Sequence, residues 1–307
     1  MCKLPLVSVL VPAYNHERYI EECLNSIIHD DYPNKEIIIF DDGSSDNSIS
    51  IVNAWINKNE ANFPGRIFFK TCQNKGVTKT LNEMIKEACG EFITLVASDD
   101  YLLPDGISKR VDYLLKHTDL LAVFADCLVV DQQGNVLSQS GVSEYHKGRK
   151  KYLKDQYLLK YELIFRWCVP GPVFLARRKV YEEVGYYDER LIVEDWDFYL
   201  RLSKSNLLGF LDATVACYRI HSTNTSIGTS NKSEKYKNSM LITMKKNMEG
   251  LNAVQYMRLW AEMTMTLHSA TRYHLTYRIA KLADWIAKNS YKLICKVRFI
   301  NCWIRGT

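Results

Sequence analysis

The chain has 307 residues, of which 47% are hydrophobic and 24% charged, and its formal net charge is +5 at pH 7. This composition excludes a disordered chain, and the length allows one large core or one core with a smaller appendage. Residues 232–307 carry 14 Lys and Arg against 4 Asp and Glu, whereas residues 1–231 carry 26 against 31, so the basic character belongs to the C-terminal part.

Nine cysteines are scattered without a CxxC pair or a zinc-spaced cluster, which favours reduced thiols in a reducing cytoplasm. The apolar run at residues 4–11 has neither a cationic start nor a cleavage site, so it predicts a first strand. The longest other apolar run, residues 120–130, is far shorter than the roughly 20 residues that span a bilayer. We therefore predict a cytoplasmic protein without a transmembrane helix.

Short apolar runs alternate with amphipathic stretches through the first third of the chain. Strands are predicted at residues 6–11, 36–40, 67–70 and 92–97, and helical segments at 19–28, 48–55 and 80–89. Apolar strands separated by helices predict an α/β doubly wound sheet that is covered on both faces. Ligands of such sheets lie beyond the carboxyl ends of the strands. The polar segments at those positions are Tyr14-Asn15, Asp41 to Ser44 and Ser98 to Asp100.

The middle of the chain is more irregular. A strand is predicted at residues 122–130, and residues 141–151 predict a loop on the active-site side that could act as a mobile lid. The tract after Ser222 predicts a linker, and the remainder predicts helices in which aromatic and basic residues are interleaved.

Six segments of the chain resemble family 2 glycosyltransferases, over roughly residues 5–230. They are Leu6 to Asn15, Glu36 to Asp46, Asn74-Lys75-Gly76, Ser98-Asp99-Asp100, Glu194 to Asp197 and Arg219-Ile220-His221. The resemblance implies a GT-A (Rossmann-like) fold with a doubly wound mixed sheet, a nucleotide-sugar donor, a divalent metal and inversion at the anomeric carbon. It places the catalytic domain at residues 1–230, with the nucleotide-binding half at about 1–120 and the acceptor-binding half at about 121–230. Residues 231–307 are then a basic helical extension.

Asp41 follows a predicted strand, where its carboxylate can accept the imide N–H of uracil, and the family places its base-contacting Asp there. The alternative is that Asp41 or Asp42 caps the following helix. Further nucleotide-sugar contacts are implied at Pro12, Ala13, Tyr14, Asn15, Asn74, Gly76, Lys79, Ser98 and Asp99.

The adjacent carboxylates Asp99 and Asp100 repel each other unless a cation compensates them, which predicts bound Mg²⁺ or Mn²⁺. The resemblance makes Asp100 the direct ligand, gives Asp99 a contact to ribose or metal, and brings His221 to metal or diphosphate. Many relatives carry an Asp where this chain has Ala97, so the spaced Asp-x-Asp form is absent. The alternatives are an Asp pair that opens a turn and a structural histidine. Arg219 is a candidate partner for phosphate.

An inverting transfer needs a carboxylate that takes the proton of the acceptor hydroxyl. Motif position selects Asp195 as this base, with Glu194 as its rival, and the alternative is an acid-rich helix N-terminus. Trp167, Gly171 and Trp196 are candidate acceptor-site residues because aromatic faces stack on sugars. Core packing is the equal alternative for the two tryptophans.

Residues 281–305 carry apolar residues at near-helical spacing among cations. Such a segment can lie on an anionic membrane surface, and the alternative is a helix packed on the catalytic domain with a solvated basic face. No recognised nucleic-acid-binding motif is present, so nucleic acid is not an expected partner.

Together these features predict an inverting glycosyltransferase that moves one sugar from a nucleotide sugar, with UDP favoured, to a glycan or glycolipid acceptor. A lipid-linked or surface-polysaccharide precursor would place the enzyme peripherally on the inner face of the cell membrane. The alternative is a nucleotide-sugar-binding scaffold without transfer, which Ala97 and Leu81 suggest because relatives often carry Asp and Arg there. The absence of GxGxxG after a strand and of a P-loop argues against other nucleotide enzymes.

Overall fold

In the computed structural model, residues 4–222, 224, 234–268 and 275–305 are described. The strands are β1 (Val7–Ala13), β2 (Lys35–Asp41), β3 (Ile67–Thr71), β4 (Phe92–Leu95), β5 (Tyr101–Leu102), β6 (Ala122–Val130), β7 (Val136–Ser138), β8 (Phe174–Arg177) and β9 (Leu208–Arg219). The helices are α1 (Ile20–His29), α2 (Ser48–Asn59), α3 (Val77–Glu87), α4 (Gly106–Lys116), α5 (Lys150–Leu153), α6 (Gln156–Phe165), α7 (Val180–Glu183), α8 (Glu194–Lys204), α9 (Glu234–Asn247), α10 (Ala253–Leu267) and α11 (Leu275–Arg305).

The strands form one mixed sheet in the order β3-β2-β1-β4-β8-β6-β9-β5, and β7 pairs with the outer part of β6. Strands β3, β2, β1 and β4 run parallel, whereas β8 is antiparallel to both β4 and β6. Every residue of β2 is buried, as expected for a strand with helices on both faces of its sheet. The structure confirms the predicted α/β class with a doubly wound mixed sheet.

The parallel strands bring their carboxyl ends to one edge of the sheet. Ala13, the last residue of β1, pairs in register with Asp41, the last residue of β2. Strand β4 ends at Leu95, two residues before the predicted end, because the backbone N–H of Asp100 donates to the carbonyl of Ala97 and closes a turn. The segments that follow β1, β2 and β4 therefore meet at this edge.

The predicted loop at residues 141–151 differs from the structure, which has helical turns at Gly141–Tyr145 and Lys150–Leu153. The buried carboxylate of Asp126 accepts hydrogen bonds from the backbone N–H of Val142 and the hydroxyl of Ser140, at 2.9 and 2.5 Å. The Asp126 carboxylate thus holds this segment in place, and the structure gives no support to the prediction of a mobile lid.

The helices after residue 233 share the hydrophobic core of the sheet domain, through buried residues such as Met244, Leu259 and Ala287. Tyr291 of α11 stacks on Phe165 of α6 with ring centroids 4.6 Å apart, and its hydroxyl donates to Glu162 Oε2 at 2.5 Å. The domain boundary expected at residue 230, and most of the predicted linker, lie outside the described residues. Within those residues, no helix is both long and apolar enough to cross a membrane.

Candidate active site

The segments after β1 and β2 are joined by hydrogen bonds. The carboxylate of Asp41 is buried and accepts from the backbone N–H groups of Gly43 and Ser44, at 3.1 and 2.8 Å, and from the Ser44 hydroxyl at 2.5 Å. Asn15, at φ 54°, accepts from the backbone N–H of Ser45 at 2.8 Å and donates its own N–H to Ser44 Oγ. Asp41 therefore shapes its own loop, and the predicted contact to a base remains a prediction.

The second carboxylate, Asp42, joins β2 to the start of α3. Its two oxygens accept the backbone N–H groups of Lys75 and Gly76 at 3.0 and 2.9 Å. Gly76 precedes α3 with φ 90°, a conformation that glycine adopts without a steric penalty. The exposed side chain of Lys79 lies in the first turn of this helix, and Tyr14 is 47% exposed at the end of β1. Those two side chains are accessible to a ligand.

Three potential metal ligands converge where the segments after β1, β4 and β9 meet. His221 Nε2 lies 2.9 Å from Asp99 Oδ2, and His16 Nδ1 lies 3.8 Å from Asp99 Oδ1. One ligand atom from each of these residues lies within 4.8 Å of the other two. Burial raises the pKa of Asp99, but the hydrogen bond with His221 and the charge of His16 outweigh it, so this pKa is below its ordinary value. The cluster can present two imidazoles and a carboxylate to a cation.

His16 was missed by the sequence analysis. It follows Asn15 directly after a strand end, and that position was the available signal, but a lone histidine there carries no spacing pattern. Ser98, a predicted donor contact, is fully buried and its hydroxyl lies 2.7 Å from His16 Nδ1. Ser98 is therefore placed to orient His16, and its predicted contact to the nucleotide sugar stays a prediction.

Asp100 does not join this cluster. Its Oδ1 accepts the backbone N–H of Arg219 at 2.8 Å, and burial together with the charge of Asp99 raises its pKa well above the ordinary value. In this geometry Asp99, and not Asp100, lies with the two histidines, and the role of Asp100 as the direct metal ligand stays a prediction.

Arg219 cannot serve a phosphate as expected, since it is 2% exposed and its guanidinium is engaged by the protein. It donates to the carbonyls of Asp99, Asp131 and Gln132, at 2.9, 3.2 and 3.3 Å, and to the carboxylate of Glu22. Its role is to fix the backbone that carries the cluster.

Glu194 and Asp195 form the first turn of α8. The three preceding residues are apolar but do not form a strand. The carbonyl of Leu191 accepts the Thr78 hydroxyl of α3 instead, at 2.8 Å. Burial and the charge of Asp195 raise the pKa of Glu194 to about 8, and burial raises the pKa of Asp195 to about 6. At neutral pH Asp195 is consequently the more ionised member of the pair.

The predicted acceptor-site residues separate into different environments. Trp196 is 5% exposed and donates its ring N–H to the carbonyl of Leu163 at 3.3 Å, so it is a core residue and not an acceptor wall. Trp167 is partly exposed and packs edge-on against Tyr199 at 5.4 Å. A Cβ atom added at Gly171 would lie 3.4 Å from Asp100 Oδ2, which places that glycine beside Asp100.

The sequence of this chain matches a known protein family. The family model described as "Glycosyl transferase family 2" matches residues 8–185, which is more than half of the chain. The chain belongs to glycosyl transferase family 2. This confirms the resemblance inferred from the motifs.

Two curated family members illustrate the relationship. The chain is 30% identical to a chondroitin synthase of Escherichia coli over 227 residues, which are 73% of this chain and 30% of that protein. It is 25% identical to a hyaluronan synthase of Pasteurella multocida over 258 residues, which are 83% of this chain and 24% of that protein. The chain thus spans less than a third of the length of these relatives.

Solved structures confirm the GT-A fold. TarS 1–349 of Staphylococcus aureus, in complex with UDP-GlcNAc, superposes with a TM-score of 0.63 at 22% identity, over 89% of this chain and 79% of that one. The mannosyltransferase PcManGT of Pyrobaculum calidifontis, in complex with GDP-Man and Mn²⁺, gives 0.63 at 17% identity, over 98% of this chain and 81% of that one.

Proposed function

We propose that this chain is an inverting glycosyltransferase that moves one sugar from a nucleotide-sugar donor to a glycan acceptor. The observation that carries the proposal is the cluster of His16, Asp99 and His221 at the carboxyl edge of the sheet. In open α/β sheets this edge is where ligands bind. The names of the family members, chondroitin synthase and hyaluronan synthase, support a glycan product.

A UDP-sugar is the favoured donor. The neighbouring TarS structure holds UDP-GlcNAc, while PcManGT holds GDP-Man. In this chain the proposed donor-binding groups are the end of β1 from Pro12 to Asn15, Asp41, and the exposed Asn74, Gly76 and Lys79 at the start of α3. Lys79 would supply positive charge to a diphosphate near a helix N-terminus, where anions are stabilised.

The three clustered side chains fit a divalent cation that accepts both nitrogen and oxygen ligands. His16, Asp99 and His221 would hold it, and two imidazoles favour Mn²⁺ over Mg²⁺, since Mg²⁺ prefers oxygen ligands. Such an ion supplies charge neutralisation at the departing diphosphate. Two further residues of the chain position these ligands. Ser98 orients His16, and Arg219 fixes the backbone carbonyl of Asp99.

Asp195 is the proposed base. In a single displacement, the acceptor oxygen bonds to the anomeric carbon while the bond to the diphosphate oxygen breaks, and the hydroxyl proton passes to the Asp195 carboxylate. A pKa of about 6 leaves that carboxylate ionised at neutral pH and still basic enough to accept the proton. Glu194, with a pKa of about 8, is largely protonated and is the weaker candidate.

The acceptor is proposed to be a growing glycan or a glycolipid, bound on the side of Gly171 and Trp167. A lipid-linked acceptor would bring the enzyme to the cytoplasmic face of a membrane. Addition of one residue per encounter is proposed because the chain lacks the Gln-x-x-Arg-Trp motif of processive relatives.

The test combines binding and transfer. Nucleotide sugars with Mn²⁺ should raise the melting temperature, since a ligand that binds only the folded state stabilises it. Asp99→Asn should abolish the Mn²⁺-dependent rise, and Asp195→Asn should keep it while losing transfer. Asp119→Asn, an exposed carboxylate on the α4–β6 connection, is the matched control. Full transfer by Asp195→Asn would contradict the mechanism. Metal-dependent UDP binding without transfer to any acceptor would favour the scaffold alternative.

A further inference from the structure

Helix α11 has two different faces. One face is buried, mainly against α10 and through Tyr291 against α6, and its residues Ala280, Ala287, Tyr291 and Cys295 are at most 3% exposed. The sequence left two alternatives for this segment, a membrane-surface helix and a helix packed on the domain. The structure shows the packed face, but this face includes only part of the helix surface.

The opposite face exposes large apolar side chains. Leu282, Trp285 and Leu293 are 58%, 63% and 62% exposed, and Ile286 and Val297 are 39% and 48% exposed. Of the 18 large hydrophobic residues exposed among the described residues, seven lie on this one helix. A concentration of apolar surface on one element marks an interaction site, whereas single exposed side chains do not.

Cations flank this apolar surface. The exposed basic residues on this side of α11 are Arg278, Lys281, Lys288, Lys292 and Lys296, whereas the exposed Arg298 lies on the other side and pairs with Asp155. At about 100° per residue, the apolar side chains from Leu282 to Val297 occupy an arc of about 60°, and the cations occupy the adjacent arc together with Trp285. The acid of α11 is Asp284, which is 13% exposed and pairs with Arg258 and Lys288. The outer face is therefore apolar and positively charged.

This charge decides between two occupants of the face. A second copy of the chain would bring like charges together along the whole helix, which costs free energy at an interface. An anionic lipid surface instead attracts each lysine or arginine, and it receives Leu, Ile and Trp side chains at the boundary between headgroups and acyl chains. Trp is the side chain most suited to that boundary.

We propose that the outer face of α11 binds the surface of an anionic phospholipid membrane, with the helix lying in the interfacial plane. We call it the lipid face, defined by Lys281, Leu282, Trp285, Lys292 and Leu293. The inference gains its purpose from the proposed function, because a lipid-linked acceptor lies at such a surface. The binding itself needs no sugar transfer, so the two proposals fail separately.

The test is co-sedimentation of the full chain with vesicles of phosphatidylcholine alone or of equal parts phosphatidylcholine and phosphatidylglycerol. The wild type should bind the anionic vesicles and be released by high salt. Lys281→Gln combined with Lys292→Gln should weaken binding at least tenfold, since each cation near such a surface is worth about 1 kcal/mol, or about fivefold. Leu282→Gln combined with Leu293→Gln should weaken it at least as much.

Matched controls come from other surfaces of the chain. Leu137→Gln, on β7 at 60% exposure, and Lys116→Gln, at the exposed end of α4, should bind like the wild type. Asp195→Asn should also bind, and the lipid-face variants should keep their melting temperatures and transfer to a water-soluble acceptor. No binding to anionic vesicles, equal loss in the controls, or a dimer in sedimentation that Leu282→Gln with Leu293→Gln dissociates would overturn the proposal.

Discussion

The half-buried acid Glu194 should make the protein less stable as pH rises. Its pKa is raised from 4.5 to about 8, first by burial and then by the charge of Asp195. A carboxyl with a higher pKa in the folded than in the unfolded state binds its proton more tightly when folded. Its contribution to stability is therefore full at low pH and is lost as pH rises from about 4.5 to about 8. Replacement by glutamine removes this loss.

The magnitude follows from the same values. At about 1.36 kcal/mol per pKa unit, the separation between 4.5 and about 8 corresponds to an upper limit of about 5 kcal/mol. The free energy of unfolding of Glu194→Gln, minus that of the wild type, should be more positive at pH 8.5 than at pH 5 by a large part of this amount. Part of the shift comes from Asp195, so the difference should be smaller when Glu194→Gln is made in an Asp195→Asn background.

Urea unfolding of the four proteins at both pH values measures these differences, and other titrating groups cancel in the comparison. Glu182→Gln, which removes an exposed glutamate on α7, is the matched control and should show no such pH dependence. If the difference between Glu194→Gln and the wild type were the same at both pH values, the assignment of a raised pKa to Glu194 would be refuted.

Four further predictions test the site and its supports. Asp195→Asn should lower kcat by about 10²- to 10⁴-fold, as for loss of a general base, and the wild-type kcat/KM should rise with pH through about 6 in steady-state assays. His16→Ala should weaken Mn²⁺ binding about tenfold or more in calorimetry, whereas unchanged affinity would remove His16 from the ligand set. Tyr291→Phe should lower the free energy of unfolding by about 1.5–3 kcal/mol, because the buried Glu162 carboxylate loses a donor. Trp196→Ala should cost about 3–5 kcal/mol of stability, measured by denaturant unfolding, with the KM for the acceptor unchanged in the folded fraction.

Much of the fold follows from local pattern. The predicted strand at residues 122–130 coincides with β6, and the apolar runs before Asn15 and Asp42 are β1 and β2. Strands that are buried on both faces consist of nearly continuous apolar residues, and such runs are easy to recognise in a sequence. The apolar residues just before Glu194 form no strand, because their backbone groups hydrogen-bond to Thr78 of α3 and Ser239 of α9 and not to a neighbouring strand.

The site was predictable only in part. The motifs pointed to Asp99 and His221, which lie together in the structure, whereas the role of Asp195 stays a prediction. Sequence could not show that Asp99 and not Asp100 lies with the two histidines, because adjacent carboxylates point in different directions only once the backbone turn is known. Nor could it show that the Arg219 guanidinium donates its hydrogen bonds to backbone carbonyls. That role depends on residues about 90 to 120 positions away in the chain.

The docking of Tyr291 against Phe165 and Glu162 bears on how family members should be divided for study. The family model covers residues 8–185 and stops there. The buried contacts continue well past it, through Met244 and Leu259 to Cys295. A shortened chain that ended near residue 185 would expose aromatic rings and leave the Glu162 carboxylate with fewer donors. Truncated variants and chimaeras should therefore keep the catalytic sheet and the helices that follow it together.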